Sequence, residues 1–304
     1  MPGQSRKIPR DWSCCLEGEL FPMIEFGNLY YFIFLLAGAG IFTLVWFLLK
    51  DRSDKTKKLV LFIWLMLNFS LHFFKQLLPG YTLPHSLHKS TAENICAVST
   101  LCFPFIMLLK KDHPLRDFMF FIGLSGGLGA FLYPTEAMGE PLTNPDVYRF
   151  YFCHFTLAAV PVLSAALGLY KPRMKRFWVI PLLFLCCETV IFINEAVLVS
   201  TGIVNSTPAQ FFDRDVRNNG FVFGPTSDMA FLGNALSAVV PSFMKRDLTG
   251  LFAEGEMYWP VLWLLIPGYV YFSPLWVLMC LPSHLREKIA GRKSGTEPGL
   301  EAGV

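Results

Sequence analysis

A thiol, an imidazole and several carboxylates recur in this chain at intervals that suit proton and acyl transfer. Cys96 can act as a nucleophile and His154 as the base that takes its proton. Glu195 or Glu93 can orient the imidazole, and Asn94 can donate to a developing oxyanion. His72, Lys75, Tyr151 and Glu188 are residue types that would line a substrate site, and Lys75 can meet a lipid phosphate or depress a thiol pKa. Each also has a plainer reading. A Cys in a membrane helix is usually a small apolar filler, an intramembrane polar residue can simply join helices, and Lys75 can snorkel. Metal chemistry is poorly supported, because the one close His pair is His85 and His88, with no helical HxxxH and no CxxC. No cofactor motif is present.

The elements that must position these groups are membrane helices. Of 304 residues, 53% are hydrophobic and 16% charged, against about a quarter charged in soluble domains. Apolar runs cover Asn28 to Leu49, Leu59 to Pro79, Thr91 to Leu109, Phe118 to Tyr133, Phe150 to Tyr170, Phe177 to Ile203 and Met257 to Leu281. Each approaches the ~20 residues that cross a hydrocarbon core, the fourth only with its flanks. No segment alternates as a barrel strand would, so the expected fold is all-α, a polytopic seven-helix bundle over 28–282.

Alternate connections carry sixteen and eight Lys or Arg, which places the N-terminus outside and the C-terminus in the cytoplasm. Residues 1–27 are then an external tail. Residues 283–304 are a basic cytoplasmic tail of disordered composition, and 204–256 is an external loop whose 221–244 stretch reads as a re-entrant or interfacial lid. The first apolar run reads as a retained anchor. The net charge of +3 is not gathered into a groove, so membrane lipids and not nucleic acid are the expected partners; the particular membrane and the oligomeric state stay open. Eight Cys, most within apolar runs, do not make a secreted disulfide framework.

Helical rise puts His72, Cys96, His154 and Glu195 at one level, ~6–8 Å outward of the midplane. Asn68, His72 and Lys75 share one face, as do Glu93, Cys96 and Thr100, Tyr151, His154 and Ala158, and Glu188 and Glu195. Burying such groups in lipid is costly, so the four stripes should turn toward one polar pocket, with no comparable set in the cytoplasmic half. Gly123, Ser125, Gly126, Gly127 and Gly129 should let the fourth helix pack closely. Pro260, Pro267 and Pro274 should bend the last helix, and Tyr258, Trp259, Trp263 and Trp276 should anchor at an interface.

Two resemblances bear on function. Asp11-Trp12-Ser13-Cys14-Cys15-Leu16-Glu17 resembles the start of alkaline ceramidases, whose several intramembrane His ligands this chain lacks. A broader likeness covers most of 28–282. Its motifs are the third-helix Cys, a Gly-rich fourth helix ending in Tyr133-Pro134, Arg149-Phe150-Tyr151-Phe152-Cys153-His154, and Asn219-Gly220-Phe221-Val222-Phe223 before the last helix. In these the chain resembles the YwaF-like integral membrane family and, more distantly, eukaryotic membrane acyltransferases and androgen-induced hydrolases. The third-helix pattern of that family keeps its Cys here as Cys96, with Asn94 in place of His and Ala97 in place of Asp; Cys153 stands where Gly is usual. The resemblance implies a Cys/His acyl-transfer centre acting on phospholipids, with Cys96 and His154 in those roles. Two other classes stay open: a transporter or small-molecule receptor built on the charge network of Lys75, Glu93, His154, Glu188 and Glu195, and a non-catalytic structural membrane protein.

Overall fold

The structure is a computed structural model that describes residues 22–78, 81, 86–227, 230–253, 255 and 257–281. The tail residues Cys14 and Cys15, the loop residue His85 and the segment 283–304 lie outside the described residues. Seven helical spans are long and apolar enough to cross a membrane, and among the described residues there is no strand, only an isolated bridge between Met23 and Pro141. The fold is the expected seven-helix membrane bundle.

Polar caps set where the spans begin. Asn28 accepts from the Tyr31 N–H to start the first helix, Leu29–Leu49, and Ser53 accepts from Thr56 to start the second, Asp54–Phe74. The second tightens into a 3-10 turn, Lys75–Leu77. Asn94 caps the third helix, Ile95–Leu108, and Asn144 caps the fifth, Pro145–Ala166, with Pro145 at its first position. The sixth is Val179–Ser200. The first helix leaves most of its apolar side chains exposed, among them Phe32, Leu36, Leu44 and Phe47, as a lipid-facing helix at the bundle edge must.

The fourth span starts earlier than its apolar run, at Pro114, and continues to Leu132, which gives it the missing length. It is not uniform: a π-helical turn, Gly123–Gly127, interrupts it where it meets the fifth helix. A Cβ on Gly123 would stand 2.3 Å from the Leu157 carbonyl oxygen, and one on Gly127 would stand 2.9 Å from the Ala158 nitrogen. Close helix packing is therefore the use of those two glycines, while Gly129 faces open space.

The last span is Leu262–Leu281. Pro260 precedes it instead of bending it, and its irregularity is a π-helical turn, Gly268–Phe272, between Pro267 and Pro274. The expected interface anchors are corrected too. Trp263 and Trp276 are fully buried, with indole N–H groups donating to the Phe221 and Arg173 carbonyls, and Tyr258 is buried as well. An indole inside a helix bundle stays only if its N–H is satisfied, and here connecting loops satisfy it.

The expectation of a bland opposite half also fails. Where the third helix turns into the fourth, Arg116 and Asp117 are both fully buried. Asp117 pairs with Arg176 at 2.8 Å and accepts from the Tyr170 hydroxyl at 2.5 Å; Arg116 donates to the Leu169 carbonyl at 3.2 Å. Arg173 pairs with Asp112 at 2.7 Å, so the connections 109–113 and 167–178 are stapled together.

Candidate functional site

At the other end, the C-terminal turn of the second helix, the start of the third and the first turns of the fifth converge. Asn68, His72 and Lys75 are all buried on one face of the second helix. Asn68 donates to Thr100 of the third helix at 3.4 Å, and the His72 ring faces the Ser90 and Thr91 main chain, its Nε2 buried without a hydrogen-bond partner. The Lys75 ammonium has no hydrogen bond and no ion pair within 4.0 Å among the described residues; Glu93 is the carboxylate within electrostatic range. Glu93 itself is held by Lys89 at 3.5 Å, with His88 at 4.0 Å.

Cys96 occupies the second position of the third helix. The cap there determines its surroundings. Asn94 Oδ1 accepts from Ala97 N at 2.8 Å and the Asn94 carbonyl accepts from Val98 N at 2.9 Å, which leaves the Ile95 and Cys96 N–H groups unsatisfied within the helix. These two donors and the positive end of the helix dipole lie beside the thiol. Asn94, expected as an oxyanion donor, places its Oδ1 on the cap, and its donor is the Nδ2 amide.

His154 sits about two and a half turns into the fifth helix, its ring against Phe150 at 4.1 Å and its Nδ1 2.9 Å from the Phe150 carbonyl. A carbonyl only accepts, so Nδ1 carries the hydrogen and Nε2 is the basic nitrogen. Cys96 and His154 therefore stand on neighbouring elements, and both lie within electrostatic range of one carboxylate, Glu136 of the loop between the fourth and fifth helices. Cys153 lies within range of Cys96 on one side and of Lys75 and Arg149 on the other.

Three groups at this end were missed as site residues from spacing alone. Arg149 donates through Nε to Asp146 at 2.5 Å and through Nη2 to the Tyr81 hydroxyl at 3.3 Å, while Tyr81 donates to Asp146 at 3.1 Å. This triangle ties the loop after the second helix to the start of the fifth. Burial, with Asp146 adding and Arg149 opposing, pushes the Tyr81 hydroxyl up to about 12. The signal was visible only in part: Asp146 and Arg149 are three residues apart on one helical face, but Tyr81 is far away in the chain.

The remaining expected residues stand apart from the thiol and imidazole. Tyr151 is buried and stacks on Phe34 of the first helix, 4.0 Å between ring centroids. Both Glu195 oxygens accept from Arg217, at 2.9 Å each, so this carboxylate anchors the 204–256 loop and does not orient His154, which takes the Phe150 carbonyl instead. Glu188 is fully buried beneath Gly220, where a Cβ would lie 2.7 Å from Oε2, and neither of its oxygens has a hydrogen-bond partner. The loop over these carboxylates is tightly folded. Val261 N donates to the Val222 carbonyl at 2.8 Å, and Phe221 and Val261 take positive φ values of 64° and 61°. Such conformations are uncommon for large side chains and hold only where packing and hydrogen bonds over-determine them. Among the described residues, no three His, Cys, Asp or Glu side chains gather into a set that could hold a metal ion.

Comparison with curated proteins and with solved structures returns no match in either case. One family model matches, over residues 24–237, from just before the first helix to the short helix Ala230–Ser237 of the long loop. That match takes in Cys96, His154, Glu188 and Glu195. An integral membrane protein with seven apolar helices, the chain belongs to the TMEM164 family.

Proposed function

We propose that the chamber at this end binds a membrane lipid and transfers or hydrolyses its acyl chain, with Cys96 as nucleophile and His154 as base. The observation that carries this reading is the position of Cys96 at a capped helix N-terminus with two unsatisfied main-chain N–H groups beside it. Those N–H groups can meet an oxyanion. In the first half-reaction His154 Nε2 takes the Cys96 proton as Sγ attacks the ester carbonyl. The tetrahedral oxyanion faces the Ile95 and Cys96 N–H groups. Collapse expels the lyso-lipid alkoxide, which takes the proton back from His154, and leaves an acyl thioester on Cys96. An acceptor hydroxyl or water then attacks the thioester while His154 takes its proton, and thiol returns as product leaves. His72, Lys75, Glu93 and Asn94 line or frame the substrate side, and Glu195 and Glu188 act through the loop they support. The charge bias of the connections supports a chamber opening on the non-cytoplasmic face.

A thiol-directed activity probe tests the assignment. It should label the wild type and not Cys96→Ala; equal labelling removes Cys96 from the reaction. One observation favours a second reading, transport coupled to proton movement, namely Glu188 buried with both oxygens unpartnered. Liposomes carrying the protein should then show a pH-dependent flux that Glu188→Gln abolishes, and a flux untouched by that change eliminates the reading.

A further inference from the structure

We infer that residues 217–224 form a gate, a re-entrant segment that swings away from the sixth helix to open a polar path to Glu188. The inference concerns access to that carboxyl and holds whichever molecule the Cys96 end takes. Three observations converge on it. First, the segment is irregular backbone at membrane depth. Glu188 lies near the middle of the sixth helix, Val179–Ser200, and Glu195 lies closer to its C-terminal end by ~10 Å of helical rise. Arg217 meets Glu195, and Gly220 meets Glu188. Three residues of extended chain cover the same ~10 Å, so the segment dips from near one membrane face toward the midplane. Non-helical backbone at such a depth is tolerated only where protein buries it or where it lines a water-filled cavity.

Second, what the segment covers is unsatisfied. Glu188 is fully buried, neither of its oxygens has a hydrogen-bond partner among the described residues, and the missing Cβ of Gly220 lets the main chain close over it. A carboxyl left in that condition gains partners, from water or a ligand, when the segment lifts. The closed turn carries backbone strain as well, because Phe221 follows Gly220 in a positive-φ conformation, 64° after 88°. Third, the two edges of the segment are held differently. Toward the last span, Val261 N donates to the Val222 carbonyl and Trp263 Nε1 to the Phe221 carbonyl, both at 2.8 Å. Toward the sixth helix, the described residues supply the Arg217–Glu195 pair, whose arginine is part-exposed, and the packing of Phe223 on Phe192. Lipid replaces an apolar contact of that kind at little cost. Asn218 accepts from the Phe223 N–H at 2.8 Å and donates to the Gly224 carbonyl, so 218–224 moves as one piece. The edge beside the last span is therefore the hinge, and Arg217–Glu195 is the latch.

The test uses the full chain in phosphatidylcholine nanodiscs and reads the gate in two ways. A hydrophobic carbodiimide adds a carboxyl O–H across one C=N bond and rearranges to a stable acylurea, so an adduct assigned to Glu188 by peptide fragmentation reports opening, with Glu188→Gln as the background. Hydrogen exchange of peptides over 218–224 reports the same motion without a reagent. The parent should take the adduct slowly. Glu195→Gln removes the charge of the latch and should raise both the labelling rate and the exchange at 218–224 by about tenfold, the scale of a charge-assisted hydrogen bond, while exchange in the second and fifth helices stays at the parent's value. Arg217→Lys keeps the charge but loses the planar fork and should fall between the two. Exchange at 218–224 that rises only together with that of the helices makes the segment a fixed part of the core and overturns the inference. So does a Glu188 that takes no adduct in the parent or in either latch variant, or labelling that both latch substitutions leave unchanged.

Discussion

The two ends of this bundle bury charge in opposite ways. Around Asp117 each buried charge meets a partner: Arg176 and Tyr170 on the carboxylate, backbone carbonyls on Arg116. Around Cys96 the His72 Nε2 and the helix-start N–H groups lack such partners among the described residues, and Lys75 has only Glu93 as a carboxylate within electrostatic range. Partnered buried charge staples loops together, whereas unpartnered buried polarity is tolerated where something else supplies the missing contacts. The difference separates an end whose buried charges hold loops together from the end that carries Cys96 and His154.

Removing the thiol makes the sharpest break in that comparison. Cys96→Ala should lower acyl transfer by about 10⁴-fold or more, the scale seen when a nucleophile is deleted, with thermal unfolding little changed. Asp117→Ala should do the reverse. It leaves the part-buried Arg176 and the Tyr170 hydroxyl without their shared carboxylate and should cost about 3–5 kcal/mol of stability, read as a lowered unfolding temperature in detergent, with activity per folded molecule retained. If Asp117→Ala abolished activity without destabilising the protein, the division between the ends would collapse.

Between these lies the packing seam that joins the ends. Gly123→Val places side-chain atoms against the Leu157 carbonyl and Pro161 and should cost about 1–3 kcal/mol by overpacking, measured the same way. Gly129→Ala, in open space, is its control and should be close to neutral. The smallest effect is on alkaline stability. Burial raises the Tyr81 hydroxyl to about 12, so its contribution is present below pH 10, the unfolded value, and is lost as pH rises from about 10 toward 12. Tyr81→Phe should flatten that part of the stability profile, and an unchanged profile would show that Tyr81 is solvated.

Some of the placement of the candidate residues was legible in advance. The Asn68, His72 and Lys75 face is buried as its periodicity required, and Cys96 and His154 lie at the same end of neighbouring elements. What misled was the assumption that polar stripes at one height must meet one another. Glu195 finds Arg217, and Glu188 lies under Gly220, because the long loop folds back over the sixth helix. Arg116 and Asp117 lie at the very start of the fourth span, where a reading of hydropathy places solvent-facing residues, yet the turn between the fifth and sixth helices covers them.

The linear chain alone determined the number of membrane spans, because the thickness of a hydrocarbon core translates directly into a run length of apolar residues. It also marked the Gly-rich stretch 123–129 as a place where helix backbones can approach, while the structure decided that Gly123 and Gly127 do so. Tertiary structure decided which charges are neutralised and which are left waiting. Helical periodicity fixes the face a side chain occupies on its own helix, but the rotation of the neighbouring helix and the path of a 53-residue connection decide what stands opposite.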